Sequence, residues 1–327
     1  MISIKQEFEQ LEFGTPQYFR NLTLFPLLRR EATGEPQYAL LEDVILQGEA
    51  KVTELNGAGV VPELRFENNS ARPVLLLDGE ELIGAKQNRV LNLTILAPSR
   101  QTVEIPVSCV EAGRWHMQTP DFRPAAYLMF GRARATRAVH VTESMRTTGT
   151  RRSDQSALWS EIAQKLSNLG TRSPTQAMSA IYEGHAVSVE EYVRAFAWKE
   201  RQAGVAFAIT GRLLGLDLFD HPATMRRVLP KLVRSYALDA LDSPPAAEGA
   251  SVSQLVEFLA QVTSAPSFSQ PAVGLGKDVR LGGPAITGAA LYAEDRYIHV
   301  CAFRADAIGV EGGFQTRMSR PSRRGMS

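Results

Sequence analysis

The chain is short of the residues that most directly announce a chemistry. Of its 327 residues, two are cysteines and five are histidines. Cys109 and Cys301 lie far apart, no CxxC occurs, and no run of Cys and His has zinc-site spacing, which argues against a disulfide framework and a metal-stapled fold. The phosphate-cradling GxxxxGK[ST] and the nucleophile-bearing GxSxG are both missing. Gly274-Leu275-Gly276 lacks the third glycine and the helix of a dinucleotide fingerprint. The longest apolar runs, Ala125 to Phe130 and Val205 to Ile209, are too short to span a bilayer. The first residues lack the charged-then-apolar pattern of a signal peptide. A cytoplasmic protein with no membrane partner is therefore expected. The net charge of +1 supplies no overall field that would draw a nucleic acid or a membrane.

What is present is an ordinary globular balance, 44% apolar and 22% charged, enough for a buried core in one large domain or two smaller ones. Strand patterns dominate the first third: Asn21 to Leu27, Val60 to Glu67 and Arg72 to Leu77, the last two joined by Asn68, Asn69 and Ser70. Gln37 to Leu46 is ambiguous. Helical spacing takes over at Leu158, Trp159, Ile162, Leu166 and Leu169, with Gly170 placed to cap. Ser173-Pro174 reads as a helix start, and Ser188 with Glu191 reads as a capping box. Val205 to Ile209 reads as a strand that Gly211 to Phe219 continues after a bend. A long helix from Pro222 to about Leu241, kinked at Pro230, and a short one over Ser253 to Val262 follow. Gly288 to Ala293 and Tyr297 to Phe303 close the chain as a hairpin.

The expected fold class is α+β: an N-terminal antiparallel β-rich, sandwich-like half, a helical middle and a C-terminal β-hairpin. The expected division is a β-rich region over 1–120, an Arg-rich linker or loop over 121–155, an α+β region over 156–305 packing on the first, and a disordered basic tail over 306–327.

The clearest local pattern is a second hairpin. Leu91, Leu93, Ile95 and Ala97 alternate with more polar neighbours, as do Val103, Ile105, Val107 and Cys109. Apolar rows must share a face, so odd residues oppose odd residues. A five-residue loop pairs Leu91 with Cys109 and brings Arg89 opposite Glu111. A three-residue loop or a bulge shifts the pairs by two and keeps the faces.

The polar residues concentrate next to that hairpin. Gly79-Glu80-Glu81-Leu82-Ile83-Gly84-Ala85-Lys86-Gln87-Asn88-Arg89 leaves an apolar strand and carries two acids, two amides, a lysine and an arginine. As an extended segment it places Glu80, Lys86 and Asn88 on one face and Glu81, Gln87 and Arg89 on the other. A carboxylate beside a lysine suits acid–base work, and Lys86 with Arg89 suits a phosphate clamp. A solvated turn with surface ion pairs has the same composition. Ser108-Cys109-Val110-Glu111-Ala112-Gly113-Arg114-Trp115 adds Glu111, Arg114 and an indole. Cys109 continues an apolar row and reads as a small buried hydrophobe. His299 reads as a core histidine.

These two stretches resemble a bacterial family, the ARG and rhodanese-phosphatase-superfamily-associated domain, where ARG denotes ADP-ribosylglycohydrolase. Leu216-Asp217-Leu218-Phe219-Asp220 and Lys231-Leu232-Val233-Arg234-Ser235-Tyr236-Ala237 extend the likeness, which covers about residues 15 to 305. The resemblance implies an intracellular α+β protein working near ADP-ribose, NAD or phosphate-ester metabolism. Glu80, Lys86, Asn88, Arg89, Glu111 and Arg114 sit in its motifs. The expectation is then a site for an ADP-ribose-like or other phosphorylated nucleotide. Glu80 and Glu111 are its candidate catalytic residues, and Lys86, Asn88, Arg89 and Arg114 its ligand-binding residues. No metal is expected and no cofactor is named; whether the chain is an enzyme stays open. The rival expectations are nucleic-acid binding through Arg132, Arg134, Arg137, Arg151, Arg152 and the basic tail, and a non-catalytic regulatory or scaffold module.

Overall fold

The computed structural model describes residues 3–30, 34–55, 62–245 and 248–306. The chain opens with helix α1 (Ile4–Glu9), held by a reciprocal box between Ser3 and Gln6. Strands β1 (Leu11–Phe13), β2 (Gln17–Phe19), β3 (Leu22–Arg29) and β4 (Ala39–Leu40) follow, then helix α2 (Leu41–Leu46). Next come β5 (Ala50–Glu54), β6 (Glu63–Asn68), β7 (Val74–Leu76), β8 (Glu80–Gly84), β9 (Arg89–Leu91), β10 (Ile95–Ala97), β11 (Thr102–Cys109) and β12 (Phe122–Leu128). The middle is helical: α3 (Gly131–Thr148), α4 (Gln155–Asn168), α5 (Ser179–Gly184) and α6 (Ala186–Ala195). After β13 (Gln202–Ile209) and β14 (Arg212–Phe219) come α7 (Pro222–Leu241) and α8 (Val252–Ser264). Strands β15 (Ser267–Pro271), β16 (Lys277–Gly282), β17 (Ile286–Ala293) and β18 (Arg296–Arg304) finish it. The fold is α+β, and its sheets are antiparallel apart from the short β4–β7 pair.

Three sheets carry it. The largest has the order β1-β3-β13-β14-β18-β17-β16-β15, with β2 also on β3. A second has the order β12-β8-β9-β11-β6-β5, and a third β10-β7-β4. The second sheet curls until its edges approach, so that Lys51 on β5 reaches Asp121, next to β12, at 3.1 Å. The third sheet packs across it, with Val74, Leu76, Ile95 and Ala97 meeting Val52, Phe66, Leu82 and Ile105. Helices α1 and α8 cover one face of the large sheet through Ile4, Phe8, Phe258 and Val262. Helices α4 to α7 pack on the core of its other face.

Helix α3 sits between the two large sheets, and its arginines do the joining. Arg134 donates from Nη1 and Nη2 to both carboxylate oxygens of Asp217 on β14, at 3.1 and 2.7 Å. Its Nε reaches Asp78, in the loop after β7, at 3.4 Å. Arg137 pairs with the other oxygen of Asp78 and with the Leu91 carbonyl. His299 on β18 completes the network. Its Nε2 lies 3.1 Å from Asp217, and its Nδ1 lies 2.8 Å from Thr94 Oγ1. Since Asp217 accepts, Nε2 is the donor to it. Burial pushes the Asp217 carboxyl up. The Arg134 charge and the His299 hydrogen bond outweigh it and hold the group at about 2.

This overturns the expected linker. Residues 121–155 contain β12 and α3, and Arg134 and Arg137 are inside the protein. The helix has too few large apolar residues to look buried, because it buries charge against charge and packs through Ala133, Ala135 and Ala138. The division at residue 120 is not followed either. Strand β3 pairs with β13 over Leu22 to Leu28, so the N-terminal segment is built into the C-terminal sheet.

The hairpin over 91–109 is corrected in part. Leu91 pairs with Val107 and Arg89 with Cys109, a shift of two that keeps odd opposite odd. Residues 95–97 leave it for β7, and the start of β11 pairs with β6. Gly211 does not bend a continuing strand. With Thr210 it makes a two-residue turn, both with positive φ, joining β13 to β14. Helix α6 starts at Ala186, ahead of Ser188, and no helix starts at Pro174. Pro230 lies inside α7, which runs through it. Tyr297 leaves the face of His299 at an irregularity opposite Leu291 and Tyr292. The expected strand positions Val60 and Val61 and the tail beyond Asp306 lie outside the described residues.

Removing Arg134 takes the guanidinium away from the buried Asp217 carboxylate and leaves Asp78 with Arg137 alone. Arg134→Ala should lower the unfolding free energy by about 3–5 kcal/mol in denaturant titration. Asp217 contributes stability above the unfolded carboxyl range that is lost as pH falls through about 2. That acid limb should weaken in the variant.

Candidate functional site

Strands β8 and β9 and the turn between them are built by the Gly79–Arg89 stretch. Two glycines are needed for this. Gly79 has φ of 84° and lies where a Cβ would come within 3.0 Å of the Arg134 side chain. Gly84 has φ of 142°, and a Cβ there would lie 2.4 Å from the Asp121 carbonyl oxygen. Ala85 also has positive φ. These two successive left-handed residues rotate the chain, so the alternation expected of an extended segment fails beyond Gly84. Asn88 then meets Glu81, while Gln87 and Arg89 turn together toward Cys109.

The second motif clamps this turn. Arg114 donates from Nε to Glu111 Oε2 at 2.8 Å and from Nη1 to the Ala85 carbonyl at 2.7 Å. Its Nη2 reaches Asn88 Oδ1 at 3.0 Å. Glu111 accepts in addition from the Asn88 backbone at 3.2 Å and from Thr175 Oγ1 at 2.9 Å. Burial pushes the Glu111 carboxyl up, but Arg114, Thr175 and Asn88 outweigh it and lower it below the usual range. Gln87 Nε2 donates to the Glu111 carbonyl at 3.0 Å. The structure thus brings Asn88, Glu111 and Arg114 into one cluster, each nearly fully buried.

Glu80 goes elsewhere. Its carboxylate accepts from Lys231 Nζ on α7 at 2.8 Å, and the same lysine holds Glu42 at 3.1 Å. Glu80 and Glu111 are therefore both ion-paired. Within this stretch, the carboxyl with raised proton affinity is Glu81, which was not among the expected catalytic residues. Glu81 is fully buried, and desolvation lifts it from 4.5 to about 8 against hydrogen bonds from Asn88 and Tyr127. Its Oε2 has no hydrogen-bond partner among the described residues. Adjacent acids on a strand point to opposite faces, so a Glu-Glu pair leaving an apolar strand implies that at least one is buried.

The remaining motif residues meet at the end of the curled sheet. Arg89 is 0% exposed, and its Nη1 donates to Gln87 Oε1 at 2.7 Å. Its Nε and Nη2 have no acceptor among the described residues. Cys109 Sγ donates to the same Gln87 oxygen at 3.1 Å, and burial pushes its thiol up. Trp115 is 54% exposed. Lys86 Nζ and Arg89 Cζ each lie 6.0 Å from its ring centroid, and Lys86 is half-buried. At that exposure the indole is not a core anchor.

The arginines expected to meet nucleic acid are dispersed. Arg134 and Arg137 are buried in ion pairs. Arg132 Nη2 donates to Ser243 at 3.3 Å, Arg151 Nη2 donates to the Pro271 carbonyl at 2.6 Å, and Arg152 is exposed. A separate cleft of about 540 Å³ lies between α2 and the start of α7, lined in part by Tyr38, Asp43, Arg72 and Arg227. Among the described residues no His, Cys, Asp or Glu cluster is placed to hold a metal ion, and no helix is long and apolar enough to cross a membrane.

The ARG and rhodanese-phosphatase-superfamily-associated protein domain matches residues 10–303. The chain belongs to that family. No curated protein and no solved structure matches it.

Glu81 makes stability depend on pH. A carboxyl raised from 4.5 to about 8 adds stability that is present below 4.5 and lost as pH rises through about 8. Glu81→Gln should remove a slope of up to about 1.4 kcal/mol per pH unit across that window, read from denaturant midpoints.

Proposed function

We propose that this member of the family binds a small phosphorylated ligand of the nucleotide type where Trp115 lies beside Lys86 and Arg89. The observation that carries the reading is a half-exposed indole flanked by two cations, the half-buried Lys86 and the buried Arg89. Arg89, buried behind the ring, adds a fixed positive charge to this corner. The exposed ring offers a face on which a base or a sugar can stack. Lys86 supplies a point charge for a phosphate at the rim. The ADP-ribosylglycohydrolase in the family's description points to the same ligand class.

In this reading Asn88, Glu111 and Arg114 hold the shape of the turn that presents Lys86 and Arg89. Glu80 fastens the hairpin to α7 through Lys231. The ligand contacts fall to Lys86 and Trp115, with the charge of Arg89 behind them. A bacterial cytoplasmic setting belongs to the same reading. The nucleic-acid alternative retains Arg132, Arg151 and Arg152, which the fold does not gather into a stripe.

The test is a thermal-shift panel of ADP-ribose, NAD, ATP and a phosphomonoester. A ligand at about 100 times its dissociation constant should stabilise the wild type by about 2.7 kcal/mol. Trp115→Ala and Lys86→Ala, both at solvent-facing positions, should keep the fold and lose most of that shift. A wild type that responds to none of the ligands sinks the reading.

A further inference from the structure

The cleft between α2 and the start of α7 shares no lining residue with the Trp115 corner. At about 540 Å³ it has the size of a small-molecule site. Its walls are residues 35–40, the outer face of α2 with Glu49, the loop 70–72 and the first turns of α7. Polar contacts cross-link these walls. Tyr38 donates to Asp220 Oδ1 at 2.5 Å, and Thr224 Oγ1 lies 2.8 Å from the same hydroxyl. Arg72 Nη2 donates to the Tyr38 carbonyl at 2.7 Å and to the Pro36 carbonyl. Arg227 ties α7 to α2 with both Nη atoms on the Asp43 carboxylate, at 2.6 and 3.3 Å. Asp220 belongs to the phrase Leu216 to Asp220, in which the Trp115 reading has no use for it; here it fixes a wall. The opening is set by the fold and does not wait for a ligand to form it.

The lining leaves charge of both signs unanswered. Asp43 and Arg227 neutralise each other. Nε and Nη1 of Arg72 make no hydrogen bond among the described residues, and the Glu35 and Glu49 carboxylates make neither a hydrogen bond nor an ion pair there. All three side chains are exposed. Both carboxylates stand on segments tied to the Arg72 loop. Glu35 adjoins Pro36, whose carbonyl Arg72 holds, and the Glu49 carbonyl accepts from the Asn69 backbone at 2.8 Å. Leu40, Val44 and Ala223 give the same lining an apolar share.

A nucleotide suits this pattern poorly, because its phosphates would meet two free carboxylates and one free cation. An amine without an anionic group leaves Arg72 unanswered. A molecule that carries both an ammonium and a carboxylate answers both signs. A single amino acid has these charges but fills only a small part of the volume.

We propose that this cleft binds short peptides with free ends, the terminal carboxylate at Arg72, the terminal ammonium at the Glu35 and Glu49 carboxylates, and an apolar side chain against Leu40 and Val44. The site is independent of the one at Trp115.

Calorimetry with the tripeptide Ala-Leu-Ala tests it, using the free peptide, its N-acetylated form and its C-terminal amide. The wild type should bind the free peptide at least about tenfold more tightly than either blocked form. Arg72→Gln should bring the free peptide and the amide within about threefold of each other, and Glu35→Gln combined with Glu49→Gln should do the same for the free and acetylated peptides. Circular dichroism first checks each variant for folding. Should Arg72→Gln not fold, the paired glutamate variant decides. Trp115→Ala should leave all three affinities as they are. No binding of the free peptide by the wild type overturns the inference, and so does equal binding of the blocked forms. A blocking penalty that persists in the matching variant overturns the assignment to these residues. An affinity lost in Trp115→Ala overturns the placement in this cleft.

Discussion

The ion pair between Arg134 and Asp217 is the constraint on which the arrangement depends. It ties the helix between the sheets to the large sheet, and the same guanidinium reaches Asp78 in the loop that feeds the polar hairpin. Gly79 follows that loop and lies against Arg134, so the hairpin takes its position from the ionic centre. Ions buried this deeply contribute little net stability against apolar residues of equal volume. What they impose is direction. A bidentate fork is satisfied at one rotation and one height of the helix, whereas packing through alanines alone tolerates sliding.

Much of the polar motif is therefore internal structure. Asn88, Glu111 and Arg114 satisfy one another and the turn carbonyls. Glu80 spends its charge on Lys231, which lies in the later phrase Lys231 to Ala237 of the same resemblance. What is left over after this accounting is small and specific: one edge of Arg89, both oxygens of Glu54, one oxygen of Glu81, and the face of Trp115. The function proposed for the chain is drawn from the last of these.

The sequence made the period-two segments and the long C-terminal helix legible, because their burial is apolar and leaves a pattern. It hid α3, whose buried face is made of arginine and alanine and therefore reads as solvated. The spacing of Arg134 and Arg137, three apart on one helix face and followed by Val141 and Met145, was the available clue. Odd-with-odd pairing of Leu91 and Val107 could be read from the pattern, since a change of face would expose an apolar row. The shift of two could not, because it leaves every residue on its face. At the candidate site, the meeting of the two motifs was legible from that pairing. The choice between Glu80 and Glu81 was not, because it depends on Lys231, 151 residues away.

The pairing of β3 with β13 also sets an order of events in time. The two strands are separated by the whole curled sheet and five helices, and β14 must still wait for β18. On a ribosome, the residues of the curled sheet are all available before the partner of β3 has been made. The N-terminal strand, buried on both faces in the finished protein, can pair early with β1 and β2, but its other edge must stay open until β13 has been made. Closing such distant contacts is slow, and an apolar strand held open for that long is exposed to association with other chains. The length of that interval is thus written into the position of its earliest long strand.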